Sequence, residues 1–258
     1  MQHIRPKSTE WFTYFPEDYR WSAAIGGMLG LAVVGASDMG EIDRTARKLK
    51  NKLGDDEAWF FTWQELGDEL KQKADDCRNR GHTISASVFY LRASCYYQWG
   101  ERFRTVKDDH ALNVYRKSVE CFHEHAQLSI SPKIEIVEVP YEGNFLPGYF
   151  VHAENTKKPI NPTMIFFDGL DITKELQYAR GVPELIKRGF SCLVMDGPGT
   201  GEAIRFRGMF LRPDYEVAGS ACVDYLETRE DVDKNRIGIM AVRLGGYYAP
   251  RCASMETR

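Results

Sequence analysis

The stretch Ile237-Gly-Ile-Met-Ala-Val-Arg-Leu-Gly-Gly-Tyr-Tyr-Ala-Pro-Arg251 decides the fold. A short apolar run passes through small residues and continues directly into a segment with helical spacing. A buried strand, a sharp turn and an immediate helix describe a nucleophile elbow, whose sequence form is G-x-S-x-G. Here the five positions read Ala241-Val242-Arg243-Leu244-Gly245. The elbow tolerates Ala in place of the first Gly, but the nucleophile's position holds Arg243. A guanidinium stays protonated and offers only donors, so it cannot attack a carbonyl.

Upstream of this turn, from Pro132 onward, short apolar runs separated by Gly, Pro and Asp alternate with helical stretches, the pattern of an α/β sheet. Residues 134–139 and 148–152 read as a hairpin around Glu142-Gly143, followed by buried strands at 163–167, 191–195 and 237–242. Helices are expected near 174–188, 214–228 and 245–256. Before Pro132, apolar residues recur at helical spacing and suggest four helices. Their stripes are Ile42 to Leu53, Trp59 to Cys77, Val88 to Phe103 (with Ser85 as a cap) and Ala111 to Ala126. The run Trp63-Gln-Glu-Leu-Gly-Asp-Glu-Leu70 is similar to the start of a tetratricopeptide repeat, yet no second copy follows at the required period. The expected organisation is a helical N-terminal region, 1–130, ahead of an α/β core, 131–258.

Composition excludes several classes. The 258 residues are 43% hydrophobic and 28% charged, as in ordinary globular proteins, with a formal charge of −3 and no long basic run. Nucleic acid is therefore not an expected partner. Trp21 to Ser37 is 17 residues without a charge, but it is rich in Gly and Ala, and acidic residues precede it. It reads as a buried segment, neither a membrane span nor a signal peptide. The six cysteines form no C-x-x-C pair and no zinc spacing, so no metal is expected and the thiols read as reduced in a cytoplasmic protein. The turn Asp196-Gly-Pro-Gly-Thr-Gly-Glu202 has the wrong spacing for a dinucleotide loop, and Glu202 would repel a pyrophosphate. No cofactor is expected.

Several ordered motifs carry a resemblance across nearly the whole chain. They are Leu91-Arg-Ala-Ser-Cys-Tyr-Tyr97, Val139-Pro-Tyr-Glu-Gly143, Leu146-Pro-Gly-Tyr-Phe150 and Phe166-Phe-Asp-Gly-Leu-Asp-Ile-Thr-Lys-Glu175. With them stand Asp196 to Glu202, Leu211-Arg-Pro-Asp-Tyr-Glu216 and Leu244-Gly-Gly-Tyr-Tyr-Ala-Pro-Arg251. The chain resembles the α/β-hydrolase family of FrsA-like esterases and 2,6-dihydropseudooxynicotine hydrolases, which includes fungal polyketide-shortening hydrolases. The resemblance implies a doubly wound α/β-hydrolase sheet preceded by a helical cap that helps dimerise. It also implies cleavage of esters, or of carbon–carbon bonds next to a carbonyl, in small molecules by Ser, Asp and His. By position, Arg243 stands where that Ser belongs. The oxyanion donors would be the backbone N–H groups of Leu244 and of Leu170 in the loop after the third strand. Glu175, in the same region, is a candidate acid or base, or equally a charged first-turn residue favoured by the helix dipole.

In the α/β-hydrolase order the Asp and His follow the nucleophile. The sequence ends at Arg258, in the helix after the elbow, so a C-terminally truncated core is expected. All six histidines, His3, His82, His110, His123, His125 and His152, precede the elbow. His123 and His125 read as exposed or paired near a helix end. Without further strands, the apolar face around Ile237, Ile239 and Met240 is expected to lie open. Glu175, Asp196 or a bound anion are the candidate partners for Arg243. Three functional readings follow: a hydrolase left inactive by Arg243, a non-catalytic protein binding a small carboxylate through Arg243, and a dimerising scaffold.

Overall fold

The computed structural model describes residues 13–258. Asp18 opens helix α1 (Tyr19–Gly30), accepting a hydrogen bond from the Trp21 amide, and a 3-10 turn at Leu31–Val34 follows. The uncharged segment thus packs as a helix whose Trp21, Ile25 and Met28 are buried, and among the described residues no helix is long and apolar enough to cross a membrane. Asp38, Asp55 and Asp108 cap α2 (Met39–Arg47), α3 (Asp56–Asn79) and α5 (Asp109–Leu128) through their side chains. Helix α4 (Thr83–Glu101) begins after His82 and carries no such cap, so the Ser85 expectation fails by one turn. The first expected stripe is also cut short: α2 ends at Arg47, and Leu53 is exposed in the turn beyond it.

The hairpin is β1 (Ile134–Tyr141) and β2 (Asn144–Val151), antiparallel, with Tyr141 opposite Asn144 across a two-residue turn. Glu142 and Gly143 both take positive φ, as the primed hairpin turns require. Then come β3 (Asn161–Phe167), α6 (Lys174–Ile186), β4 (Ser191–Met195), a five-residue α7 (Gly201–Arg205), α8 (Glu216–Glu227), β5 (Val232–Ala241) and α9 (Gly245–Met255). The sheet order is β1-β2-β4-β3-β5, with β4, β3 and β5 parallel. Alternate residues of the strands serve two cores. Tyr149, Val151, Phe166, Cys192 and Val194 face the helices α1–α6, whereas Phe150, Ile165, Phe167, Leu193 and Met195 face α8 and α9. Burial on both faces explains why these strands read as unbroken apolar runs.

Register brings the carboxyl ends of the parallel strands level: Phe166 lies beside Val194, and Phe167 beside Ala241. The segments following β3, β4 and β5 therefore meet at one edge of the sheet, where open α/β sheets place their ligands. Among the described residues β5 has a strand on one side only. Its residues are mostly half-buried, and Ile237, Gly238 and Ile239 border a cleft of ≈ 440 Å³ against Cys252 and Val223.

Candidate active site at the elbow

Strand β5 ends at Ala241, and α9 begins at Gly245, leaving three residues to reverse the chain. The apex, Arg243, has φ +58°, a left-handed conformation that costs a non-glycine residue roughly 1–2 kcal/mol. This is the strained geometry by which an elbow pushes its central side chain out of the sheet edge. The fifth position must be glycine for a visible reason. A Cβ on Gly245 would lie 2.7 Å from the Ala241 Cβ and 2.8 Å from the Asp168 carbonyl oxygen. With that position bare, Ala241 fits where the motif has its first Gly.

The loop after β3 is pressed against this turn: a Cβ on Gly169 would sit 3.2 Å from both Arg243 Cβ and Leu244 N. Gly169 N–H donates to the Asp168 carboxylate at 2.6 Å, so that amide is already engaged. Among the described residues the N–H groups of Leu170 and Leu244 donate to no protein acceptor. Both side chains are exposed, which leaves this part of the surface open to solvent.

Arg243 does not reach Glu175 or Asp196. Its Nη1 donates to Asp171 Oδ1 at 2.5 Å, and Asp171 Oδ2 accepts from Arg102, at the end of α4. Burial would raise the Asp171 carboxyl, but the two guanidiniums outweigh it and hold the group below the usual carboxylate range. Gln98 of α4 adds a bond to the Asp171 carbonyl at 3.1 Å, tying the helical layer to the loop.

Glu175 is enclosed, with 0% exposure. Tyr149 Oη and Lys174 Nζ both donate to its Oε1 at 2.7 Å, and Thr173 Oγ1 bonds its other oxygen. Lys174, 1% exposed, also reaches Asp196 Oδ2 at 3.2 Å and Glu202. The carboxylates of Glu175, Asp196 and Glu202 converge closely enough to hold a cation, and the Lys174 ammonium supplies that charge. Burial opposes the charge on Lys174, yet the surrounding carboxylates raise its pKa well above the ordinary value. Glu175 is lowered because Lys174 and its hydrogen bonds outweigh burial. Asp196 is raised, by burial first and then by Glu175 and Glu202.

The glycine turn after β4 serves this cluster. The Asp196 carboxylate accepts the backbone N–H groups of Lys174 (2.9 Å) and Glu202 (3.0 Å), and a Cβ on Gly201 would lie 1.9 Å from it. Asp196 thus fills the space that a phosphate would need. Tyr115 of α5 reaches the same carboxylate at 3.4 Å, and Arg205 of α7 grips the buried Glu101 of α4 at 3.2 and 3.0 Å. Charged groups therefore pin the helical layer to the sheet on two sides.

The histidines sit elsewhere. His110 bonds Gln64, His152 bonds Glu135, and His82 is exposed; His3 lies outside the described residues. Of the two expectations for His125, exposure or pairing near the helix end, the structure shows the second: it is buried and bonds Ser87, and burial drives its pKa down to about 4. His123 packs edge-on to Tyr149, and burial, followed by Lys174, lowers its pKa.

A model of the FrsA-like esterases matches residues 38–258. The chain belongs to this family. Among its curated relatives, the α/β hydrolase xenA of Xenoacremonium sinensis is 29% identical over 94% of this chain and 58% of its own length. The hydrolase acrC of Aspergillus aculeatus is 28% identical over 94% of the chain and 60% of its own length. The crystal structure of 2,6-dihydroxy-pseudo-oxynicotine hydrolase superposes with a TM-score of 0.74 at 27% identity, covering 89% of this chain and 62% of that one. The fold is accordingly that of the α/β hydrolases, and the chain spans about three-fifths of the length of these hydrolases.

Lys174, Asp171, Arg102 and Arg180 went unnoticed in sequence. The usable signal was Asp168-Gly-Leu-Asp171 followed by Lys174-Glu175, four charged residues in the eight that follow a buried strand.

Proposed function

We propose that this chain carries the small-molecule site of an FrsA-like α/β hydrolase in which the nucleophile's place is occupied by a group unable to react. The family's chemistry would be attack on an ester, or on a carbonyl beside a carbon–carbon bond, with the Leu170 and Leu244 amides holding the oxyanion. One observation carries the silent reading: the strained apex of the elbow is Arg243. Its guanidinium has no lone pair to give at neutral pH, so no acyl-enzyme forms there. The relatives are hydrolases by description, and the structural neighbour named for 2,6-dihydroxy-pseudo-oxynicotine supports a small-molecule substrate class. Six unpaired cysteines suit a reducing, cytoplasmic setting. Pairing of two chains through the helical region is carried by the resemblance alone, and a monomer by light scattering removes it.

The direct test is hydrolysis of p-nitrophenyl acetate and butyrate. The expected rate equals that of the heat-denatured protein. Saturable turnover that a single substitution abolishes refutes the silent reading and identifies another nucleophile.

A further inference from the structure

The elbow sits in an unbalanced patch of charge. Arg102, Arg180 and Arg243 converge on the loop after β3, which answers them with only Asp168 and Asp171. Three guanidiniums against two carboxylates leave one positive charge in excess. Burial, and then repulsion from Arg243, outweigh the neighbouring carboxylates and lower the pKa of both Arg102 and Arg180.

The hydrogen bonding is incomplete as well. Asp171 is shared by Arg102 and Arg243. The Arg180 guanidinium makes no hydrogen bond to a protein group among the described residues; its one carboxylate neighbour within 4 Å, Asp168 Oδ2, lies 3.6 Å away, and it stands 6.0 Å from the Trp99 ring centre. Arg102 Nε is buried without an acceptor. Buried polar groups are nearly always satisfied, so a cationic donor left open beside an accessible turn calls for an anionic acceptor. Arg243 is 47% exposed and provides the entrance. The free Leu170 and Leu244 amides lie on the same loop and turn, and their exposed leucine side chains offer an apolar wall.

We infer that Arg102, Arg180 and Arg243 form a cationic cluster that binds the carboxylate of a small, otherwise apolar organic acid at the elbow. The inference rests on the reading of this edge as a small-molecule site, and it names the ligand class. A carboxylate is preferred to a phosphate because the cluster has one charge in excess and Asp171 stays in place. Planar guanidiniums suit the two oxygens of a carboxylate.

Calorimetric titration with phenylacetate and its neutral isostere phenylacetamide tests this. The acid is expected to bind at least tenfold more tightly than the amide. Arg180→Gln is expected to erase that preference with the thermal midpoint retained. Asp171→Asn removes the competing carboxylate, so it tightens the acid severalfold and leaves the amide unchanged; this variant decides the matter if Arg180→Gln does not fold. Equal binding of acid and amide, no binding of either up to millimolar concentration, or a full acid preference in folded Arg180→Gln overturns the proposal. So does an Asp171→Asn variant that does not tighten the acid. Ester turnover is read separately: turnover alone would refute the silent reading and leave the carboxylate site standing, and loss of the acid preference alone would do the reverse.

Discussion

Replacing Gly245 by Ala tests the elbow by its packing instead of its chemistry. The added methyl would stand 2.7 Å from Ala241 Cβ and 2.8 Å and 3.1 Å from the Asp168 carbonyl oxygen and carbon. Two of these three neighbours are backbone, so the strand end, the loop and α9 must separate. Overpacking of this kind costs about 1–3 kcal/mol. The helix gains up to about 1 kcal/mol from the lost glycine, which partly masks the clash. Gly246 supplies the control: it is the next residue of the same helix, and a Cβ there meets nothing within 4 Å. The propensity gain is common to both variants, so the difference between them isolates the clash at about 1–3 kcal/mol. Urea unfolding followed by circular dichroism, with unchanged slopes, measures it. Gly246→Ala is expected at or above the parent midpoint and Gly245→Ala below it. If the two variants agree within about 0.5 kcal/mol, the close return of α9 onto β5 is wrong.

Two further predictions concern buried charge. His125 is held near a pKa of about 4, against an ordinary 6.5, so between those values the unfolded chain binds the extra proton and stability falls as pH falls. The gap amounts to about 3 kcal/mol, fully present above pH 6.5 and lost by about pH 4. His125→Gln is expected to flatten that part of the pH–stability curve; a curve parallel to the parent's refutes the assignment. Lys174→Met leaves Glu175, Asp196 and Glu202 together without their cation, at a cost of about 3–5 kcal/mol. The loss is expected to be smaller at pH 5 than at pH 8, because protonation relieves the carboxylates. A loss under about 1 kcal/mol, or one independent of pH, removes the charge cluster as a structural lock.

The sheet was readable because local pattern and tertiary role agree there. Strands buried on both faces leave apolar runs, Glu142-Gly143 marks the hairpin, and Ala241 to Gly245 leave room for only a tight reversal. The fold class and the elbow, with the alien residue at its apex, came from these stretches. Leu170 and Leu244 were placed by motif alone, and the structure sets both amides at the edge where β3 and β5 end. Helix boundaries in the first half were less legible. Leu53 continues the stripe of α2 in sequence but lies in the turn after it, since an apolar spacing carries no signal of where the partner surface stops.

By itself, the sequence determined which residues lie along one face of each element and that position 243 holds a cation. Only the tertiary structure decided the company those residues keep. Glu175 lies close in sequence to the loop after β3, but Lys174, Tyr149 and Thr173 enclose it in the core. Asp171 and Arg180 lie in the loop after β3 and in α6, and Arg102 stands 69 residues before Asp171 at the end of α4, yet all three surround Arg243, 72 residues beyond Asp171. Period and propensity act over a few residues, whereas Coulomb energy depends on distance through space and on the water removed between charges, and folding alone sets both.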